Sequence, residues 1–361
     1  MKSRIIIFAP YPRDEAPSQR FRFEQYLDRL EKDGYEIVYS SFLSEKEWRV
    51  LYKEGNYLEK FTGVWKSFFR RWNTLFKLKK SDILFVHREI AHIGPPIFEW
   101  IIAKGLRRKY IYDFDDAIWL PNYSQVNSKI QGLKMYWKVK YCIKWAHTVN
   151  AGNDFLADYA KKINVNVNVV PTTIDLENYH NLLTDYSRLP ITVGWTGTHT
   201  TMRYLDEIVP ILQDLEKQYD FVFQVISNKA PDFNLKSLKF VKWNKSTEIK
   251  DLATIQIGVM PLTEDQWSEG KCGFKALQYM ALGIPVIISP VGVNSKIVKN
   301  EENGYLVSSS EEWKKRLIEL LEDENLRKRI GEAGRKTILD NYSVTANYQK
   351  YIASIEGLKK V

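Results

Sequence analysis

Apolar runs of about five residues, Ile5-Ile6-Ile7-Phe8-Ala9 first among them, return all along the chain with helical stretches between them. A run with no polar alternation has no face suited to water, so it must be covered on both sides, and the intervening helices are the available cover. The alternation predicts an α/β fold with parallel, doubly wound sheets. In the first half we expect strands at Ile5–Ala9, Glu36–Tyr39, Ile83–Val86 and Tyr110–Tyr112, with helices over Phe21–Glu31, ended by Gly34, and Ile97–Lys104. A second strand-first unit opens at Ile191–Trp195. It continues through a helix at Met202–Gln218, strands at Phe221–Ile226, Ile255–Met260 and Val286–Ile288, and a helix at Phe274–Leu282 stopped by Gly283. Helices at Glu311–Leu321, Glu324–Asn341 and Ala346–Leu358 complete it. At 361 residues two domains are expected, and the polar stretch Asp175–Pro190 is the predicted joint.

Composition narrows the class. With 44% hydrophobic residues two cores can be filled, yet no apolar run approaches the roughly 20 residues that span a bilayer. The start, Met1-Lys2-Ser3-Arg4, is basic but lacks a long apolar stretch and a small-residue cleavage site, so no signal peptide is expected. Two distant cysteines, Cys142 and Cys272, cannot make a disulfide framework, and a cytoplasmic protein is the expectation. The net charge of +9 is uneven: residues 1–150 hold 27 Lys+Arg against 17 Asp+Glu, leaving 26 against 27 for the rest. The first half is thus suited to a polyanion or an anionic surface.

The strongest chemical signal lies around the helix expected to start near Phe274. Lys271, Lys275 and Gln278 would share a face there, with Phe274, Leu277 and Ala281 toward the sheet. Gly270 and Gly273 let backbone approach closely at a helix N-terminus, where N–H groups and the helix dipole favour an anion such as a diphosphate. Glu269 could accept hydrogen bonds from sugar hydroxyls. The turn Gly194–Thr201, with Gly197, Thr198 and Thr200, offers further donors at the carboxyl end of a strand. It has neither the G-x-G-x-x-G nor the P-loop spacing. The plainer alternative is that Lys271 and Lys275 are solvated and the glycines only cap.

The segment Gly270–Ser289, G-K-C-G-F-K-A-L-Q-Y-M-A-L-G-I-P-V-I-I-S, resembles the signature of retaining GT-B glycosyltransferases of family 4. Asn303–Val307 is similar to that family's N-G-x-L-V, and Val169–Asp175 to its V-I-P-N-G-V-D. The resemblance implies two Rossmann-like domains facing a cleft. It places an acceptor-side domain at 1–178, a nucleotide-sugar domain at 179–343, and a C-terminal helix, 344–361, that returns to the first domain. It implies a metal-independent hexosyltransferase, acting with retention on a nucleotide-diphosphate sugar donor and a glycan or lipid-linked acceptor, as in polysaccharide biosynthesis. Lys271 and Lys275 would stabilise the leaving diphosphate, and closure of the domains would exclude water. The family's two glutamates fall on Gly270 and Gln278, so the first is displaced to Glu269 and the second is an amide without charge.

On the acceptor side, Asp113, Asp115 and Asp116 end a strand, and Asp115 could orient the acceptor or stabilise positive charge on the anomeric carbon. A capped strand end in ion pairs is the plainer reading. Arg20 and Arg22, after the first strand, could hold a phosphate, or simply begin a helix. The five histidines, His87, His92, His147, His180 and His199, show no ligand spacing, so no metal is expected, nor any other cofactor.

Leu58, Phe61, Val64, Trp65, Phe68, Phe69, Trp72, Leu75 and Phe76 recur at helical steps, with Lys66, Arg70, Arg71, Lys77, Lys79 and Lys80 on the remaining surface. Segment 58–80 is expected either to lie on an anionic membrane, at the inner face of the plasma membrane, or to pack on its own domain. Met135–Tyr141 is aromatic and basic as well. No recognisable nucleic-acid-binding module accompanies the charge, and nucleic acid is not expected. Three rivals remain open: a non-catalytic nucleotide-sugar or glycan binder, a nucleotide-sugar epimerase, and a peripheral lipid- or nucleic-acid-binding module.

Overall fold

The computed structural model describes residues 3–51, 55–121 and 134–358. It divides into two compact units, Met1–Thr172 with Tyr348–Val361, and Thr173–Asn347. Each holds one six-stranded parallel sheet.

In the first unit the strands are β1 (Arg4–Ala9), β2 (Glu36–Ser41), β3 (Ile83–His87), β4 (Tyr110–Phe114), β5 (Thr148–Ala151) and β6 (Val167–Val169), in the order β2-β1-β3-β4-β5-β6. β1, β3 and β4 are buried almost throughout, as their apolar runs require. The direction of winding reverses between β1 and β3, and in such a sheet ligands bind beyond the carboxyl ends of the strands at that point. The stretch expected as one helix, Phe21–Glu31, is broken into Pro17–Arg20, a 3-10 turn at Glu24–Tyr26 and a helix at Leu27–Lys32. Gln19 clamps the loop after β1 by accepting from Tyr11 N–H and donating to the Tyr11 and Pro12 carbonyls. Residues of the C-terminal helix close this unit's core: Tyr351 stacks on Tyr26 with ring centres 4.3 Å apart, and Asn150 donates to Ser354 at 3.1 Å.

The helix Tyr57–Phe76 is oriented by one side chain. Its inward face carries Gly63, Ser67, Arg71 and Leu75, all buried. Arg71 donates to the carbonyls of Ala9, Ser40 and Ile90 at 2.6–2.7 Å and to Ser40 Oγ at 2.8 Å. Burial lowers its pKa to about 9. The aromatic stripe is thereby turned out: Phe61 is 62% exposed, Trp65 56%, Phe69 69% and Phe76 81%. Two members of the stripe face inward instead, Leu75 being buried and Phe68 packing edge-on against Phe42 at 5.4 Å. Arg70 is also drawn in, bonding Glu47 and the Phe42 carbonyl.

In the second unit the strands are β7 (Ile191–Gly197), β8 (Phe221–Ser227), β9 (Leu238–Lys242), β10 (Ile257–Met260), β11 (Val286–Ile288) and β12 (Tyr305–Leu306). Their order is β12-β11-β10-β7-β8-β9, so the winding reverses between β7 and β10. The expected helix over Met202–Gln218 is a 3-10 segment, His199–Glu207, followed by an α-helix, Val209–Leu215, that starts afresh at Pro210. Helix Ser310–Glu322 begins with a capping box between Ser309 and Glu312, and Asp323 caps the next, Glu324–Thr337. Gly331 lets that helix sit on the turn after Phe274–Ala281, because a Cβ at this position would meet the Gly283 carbonyl at 1.9 Å.

Replacing Arg71 by Met should remove a donor from each of three interior carbonyls and lower stability by roughly 3 kcal/mol. Urea unfolding measures this directly, and a loss below about 1 kcal/mol would show that Arg71 is not the anchor.

Candidate functional site

At the switch point of the second unit, Tyr279 pins the helix Phe274–Ala281 to both central strands. Its ring covers Gly258 of β10, where a Cβ would lie 2.7 Å from the ring, and its hydroxyl accepts the Thr196 N–H of β7 at 2.8 Å. Gly273 caps this helix with φ of +66°, and a Cβ there would strike Ile297 at 2.3 Å, so only glycine fits.

Lys275 sits in the first turn, with its ammonium 5.3 Å from the centre of the Trp195 ring. The same ring forbids any side chain at Gly197, whose Cβ would approach Trp195 Cη2 to 2.5 Å. Trp195 therefore joins the Gly197–Thr200 turn to the helix start. There Thr198 Oγ1 and Thr200 Oγ1 lie 2.8 Å apart on the surface, and His199 N–H donates to Asn228. Lys271, just before the helix, lies over Trp267 at 5.6 Å. Burial and the neighbouring charge of Lys271 bring the Lys275 pKa down to about 7, and no carboxylate pairs with Lys275 among the described residues. Two lysines at the positive end of a helix form a site that an anion would complete.

Gln278 points elsewhere. It is 2% exposed, and its Nε2 lies 3.4 Å from both His180 Nε2 and Glu248 Oε1. Glu248 also accepts the Tyr179 hydroxyl at 2.8 Å. The amide thus belongs to an interior polar cluster rather than to the face carrying the lysines. Glu269 is half-buried at the end of a short helix, Gln266–Glu269, and Gly270, which follows it, is buried.

In the first unit the acidic candidates separate. Asp113 is buried in a bidentate pair with Arg22, at 2.5 and 3.4 Å, and takes a bond from His87 Nδ1 at 2.8 Å. Burial raises its pKa, but Arg22 and then His87 outweigh it, and the net shift is downward. Arg22 also donates to the Val170 carbonyl, so it is committed to the interior rather than turned toward a ligand. Arg20 is buried against the Phe21 ring. Asp115 stands nearer the surface, held by Arg88 Nε at 2.7 Å. Burial opposes the charge on Arg88, yet Asp115 and Asp116 hold its pKa above the usual value. Arg88 follows β3 with φ of +58°, a left-handed conformation that is costly for a bulky residue. His87, Arg88, Trp195, Tyr279 and Glu248 are absent from the sequence-based candidates. Only His87 and Trp195 had a signal available, as the last residues of apolar strand runs.

Each sheet and its helices form a Rossmann-like domain, and together they define the GT-B architecture of glycosyltransferases. Sucrose-phosphate synthase from Thermosynechococcus elongatus superposes with a TM-score of 0.72 at 13% identity, covering 99% of this chain and all of that one. A glycosyltransferase from Rickettsia africae gives 0.70 at 14%, covering 99% of both chains. Anabaena HepE, in complex with UDP-glucose, gives 0.61 at 12%, with 98% and 99% covered. Residues 223–337 match the family model of glycosyl transferases group 1. An uncharacterised glycosyltransferase of Methanocaldococcus jannaschii is 31% identical over 161 residues, 42% of this chain, and the match spans 43% of that relative. No helix among the described residues is long and apolar enough to cross a membrane.

A Lys275 pKa near 7 makes anion binding pH-dependent. An anion beside the ammonium raises its pKa, so binding above pH 7 takes up a proton. The affinity for a diphosphate anion, probed with pyrophosphate, should be highest below pH 7 and weaken by up to about tenfold per pH unit above it. Calorimetry in buffers of different ionisation enthalpy reads the uptake, and Lys275→Met should abolish it. A pyrophosphate affinity flat from pH 7 to 9 would remove Lys275 from the candidate site.

Proposed function

We propose that the chain transfers a hexosyl group from a nucleotide-diphosphate sugar to a glycan or lipid-linked acceptor, with retention and without a metal. The observation that carries this reading is the Lys271–Lys275 pair at the start of the Phe274–Ala281 helix, beside the Trp195 ring. The bond from the anomeric carbon to the diphosphate oxygen breaks, and both lysines and the helix N-terminus stabilise the charge left on that oxygen. The acceptor oxygen bonds the anomeric carbon from the same face, and its proton goes to the departing phosphate. Asp115 stabilises positive charge at that carbon or orients the acceptor. UDP is the first nucleotide to try, since HepE was solved with UDP-glucose.

We further propose that the reaction takes place at the cytoplasmic membrane face, with the exposed stripe of helix Tyr57–Phe76 in the interface. From Lys60 through Ser81, both included, there are seven basic residues and no acidic one, and Lys66, Lys77, Lys79 and Lys80 are exposed. Aromatic side chains with flanking ammonium groups suit the headgroup layer of an anionic bilayer. Exposed Trp137 and Tyr141 add a second aromatic and basic edge on the same unit.

A thermal-shift screen of nucleoside diphosphates and their sugars tests the donor. A true ligand at about 100 times its Kd should stabilise the fold by about 2.7 kcal/mol. With the donor in hand, Lys271→Ala should lower kcat/KM by roughly 10²-fold. Binding without turnover on any acceptor would instead make this a non-catalytic binder, and product with an intact nucleotide bond an epimerase. For the surface, the triple change Phe61→Ser, Trp65→Ser, Phe69→Ser should abolish sedimentation with vesicles containing phosphatidylglycerol. Undiminished sedimentation would exclude this helix as the membrane contact.

A further inference from the structure

His87 ends β3 at the switch point of the first unit and is fully buried. Its two ring nitrogens have different fates. Nδ1 lies 2.8 Å from Asp113 Oδ2, and Arg22, paired to the other side of Asp113, keeps that carboxylate ionised. An ionised carboxylate only accepts, so Nδ1 carries the hydrogen. Nε2 is buried with no hydrogen-bond partner, and Asp115 Oδ1 lies 4.0 Å from it.

That distance is too long for a hydrogen bond and too short to be indifferent to charge. The same Asp115 Oδ1 accepts from Arg88 Nε at 2.7 Å, and the Arg88 backbone is held left-handed while its N–H donates to the Asp113 carbonyl at 2.7 Å and its carbonyl accepts the Tyr112 hydroxyl at 2.6 Å. An orphaned interior nitrogen and a strained arginine beside one carboxylate oxygen are costs that a purely structural pairing would not need.

We propose that His87 is a positioning residue for Asp115: anchored through Nδ1 to Asp113, it presents Nε2–H to Asp115 Oδ1 and fixes the carboxylate against the pull of Arg88. The 4.0 Å gap closes when substrate loads, as bonds at active sites commonly tighten only in the complex. This deepens the transferase reading, on which the kinetic part of its test rests, but the coupling between the two side chains is a property of the free protein.

The spectroscopic arm uses the full chain labelled with 15N-histidine and a long-range proton–nitrogen spectrum. His87→Gln assigns the signal by removing it. Asp115→Asn should move the His87 Nε2 resonance while leaving Nδ1 protonated. Asp116→Asn, which removes the same charge from beside Arg88 without the geometry to His87, should not. An Nε2 resonance indifferent to Asp115→Asn overturns the proposal whether or not any donor is turned over. The kinetic arm compares His87→Asn, which keeps a donor toward Asp113 but loses the reach to Asp115, with His87→Gln, which keeps that reach. His87→Asn should lower kcat roughly tenfold to a hundredfold with donor KM unchanged, and His87→Gln should recover most of the loss. Equal losses in both variants, or a change confined to KM, would make His87 structural. If no donor binds the wild-type chain, the transferase reading fails and the spectroscopic result still stands.

Discussion

A single buried guanidinium organises the first unit. Arg71 reaches from the middle of a long helix into the end of the sheet and satisfies carbonyls at the ends of β1 and β2 and after β3. Its charge has no carboxylate partner at ion-pair distance among the described residues, so its hydrogen bonds must replace what water would supply. The rings of Phe8 and Phe42 lie 5.4 and 5.7 Å from it and add cation–π attraction. Once this side chain is fixed, the rotation of the helix is fixed too. The face opposite Arg71 then has no freedom to turn inward, and its aromatic side chains stay in solvent although burial would otherwise favour them. An interior polar requirement thus decides the character of an exterior surface.

The second unit works by close approach rather than by a buried charge. Glycines at 197, 258, 273 and 331 each admit a neighbour that any Cβ would strike. The effect is cumulative: Glu324–Thr337 seats on the turn after the Phe274–Ala281 helix, Tyr279 holds that helix across β7 and β10, and Trp195 carries Lys275 and the Gly197 turn on one ring. The lysine is placed where its ammonium is poorly solvated, opposed by Lys271 and by the helix dipole. Such an arrangement costs stability, which a bound anion would offset.

Most of this architecture was legible in the residues. The strands β1, β3, β4, β7, β8, β10 and β11 are apolar runs, and burial on both faces explains why they could be read directly. β5, β6, β9 and β12 were not read, and β5 and β6 are only four and three residues long. Leu238–Lys242 is an edge strand that alternates Leu, Lys, Phe, Val, Lys and is mostly exposed, while Tyr305–Leu306 is two residues long. The site was legible where chemistry is local, in the glycines and lysines of 270–275, and illegible where it is made by the fold. Gln278 lies only three residues beyond Lys275, and helical spacing suggested a shared face. The helix begins after Lys271, however, and Gln278 turns in toward Glu248 and His180, residues 30 and 98 positions away. Likewise Arg22 and Asp113, separated by 91 residues, neutralise one another, which no local pattern encodes.

The left-handed backbone at Arg88 bears on how this chain could be engineered. Glycine would adopt that conformation without strain, so selection for heat tolerance alone would favour it there. The same exchange would release the Asp115 carboxylate from its 2.7 Å tether and leave Asp116 without the nearby cation. Thermal robustness and a held carboxylate are therefore opposed at one residue, and a library screened only for melting point would tend to lose the second while improving the first.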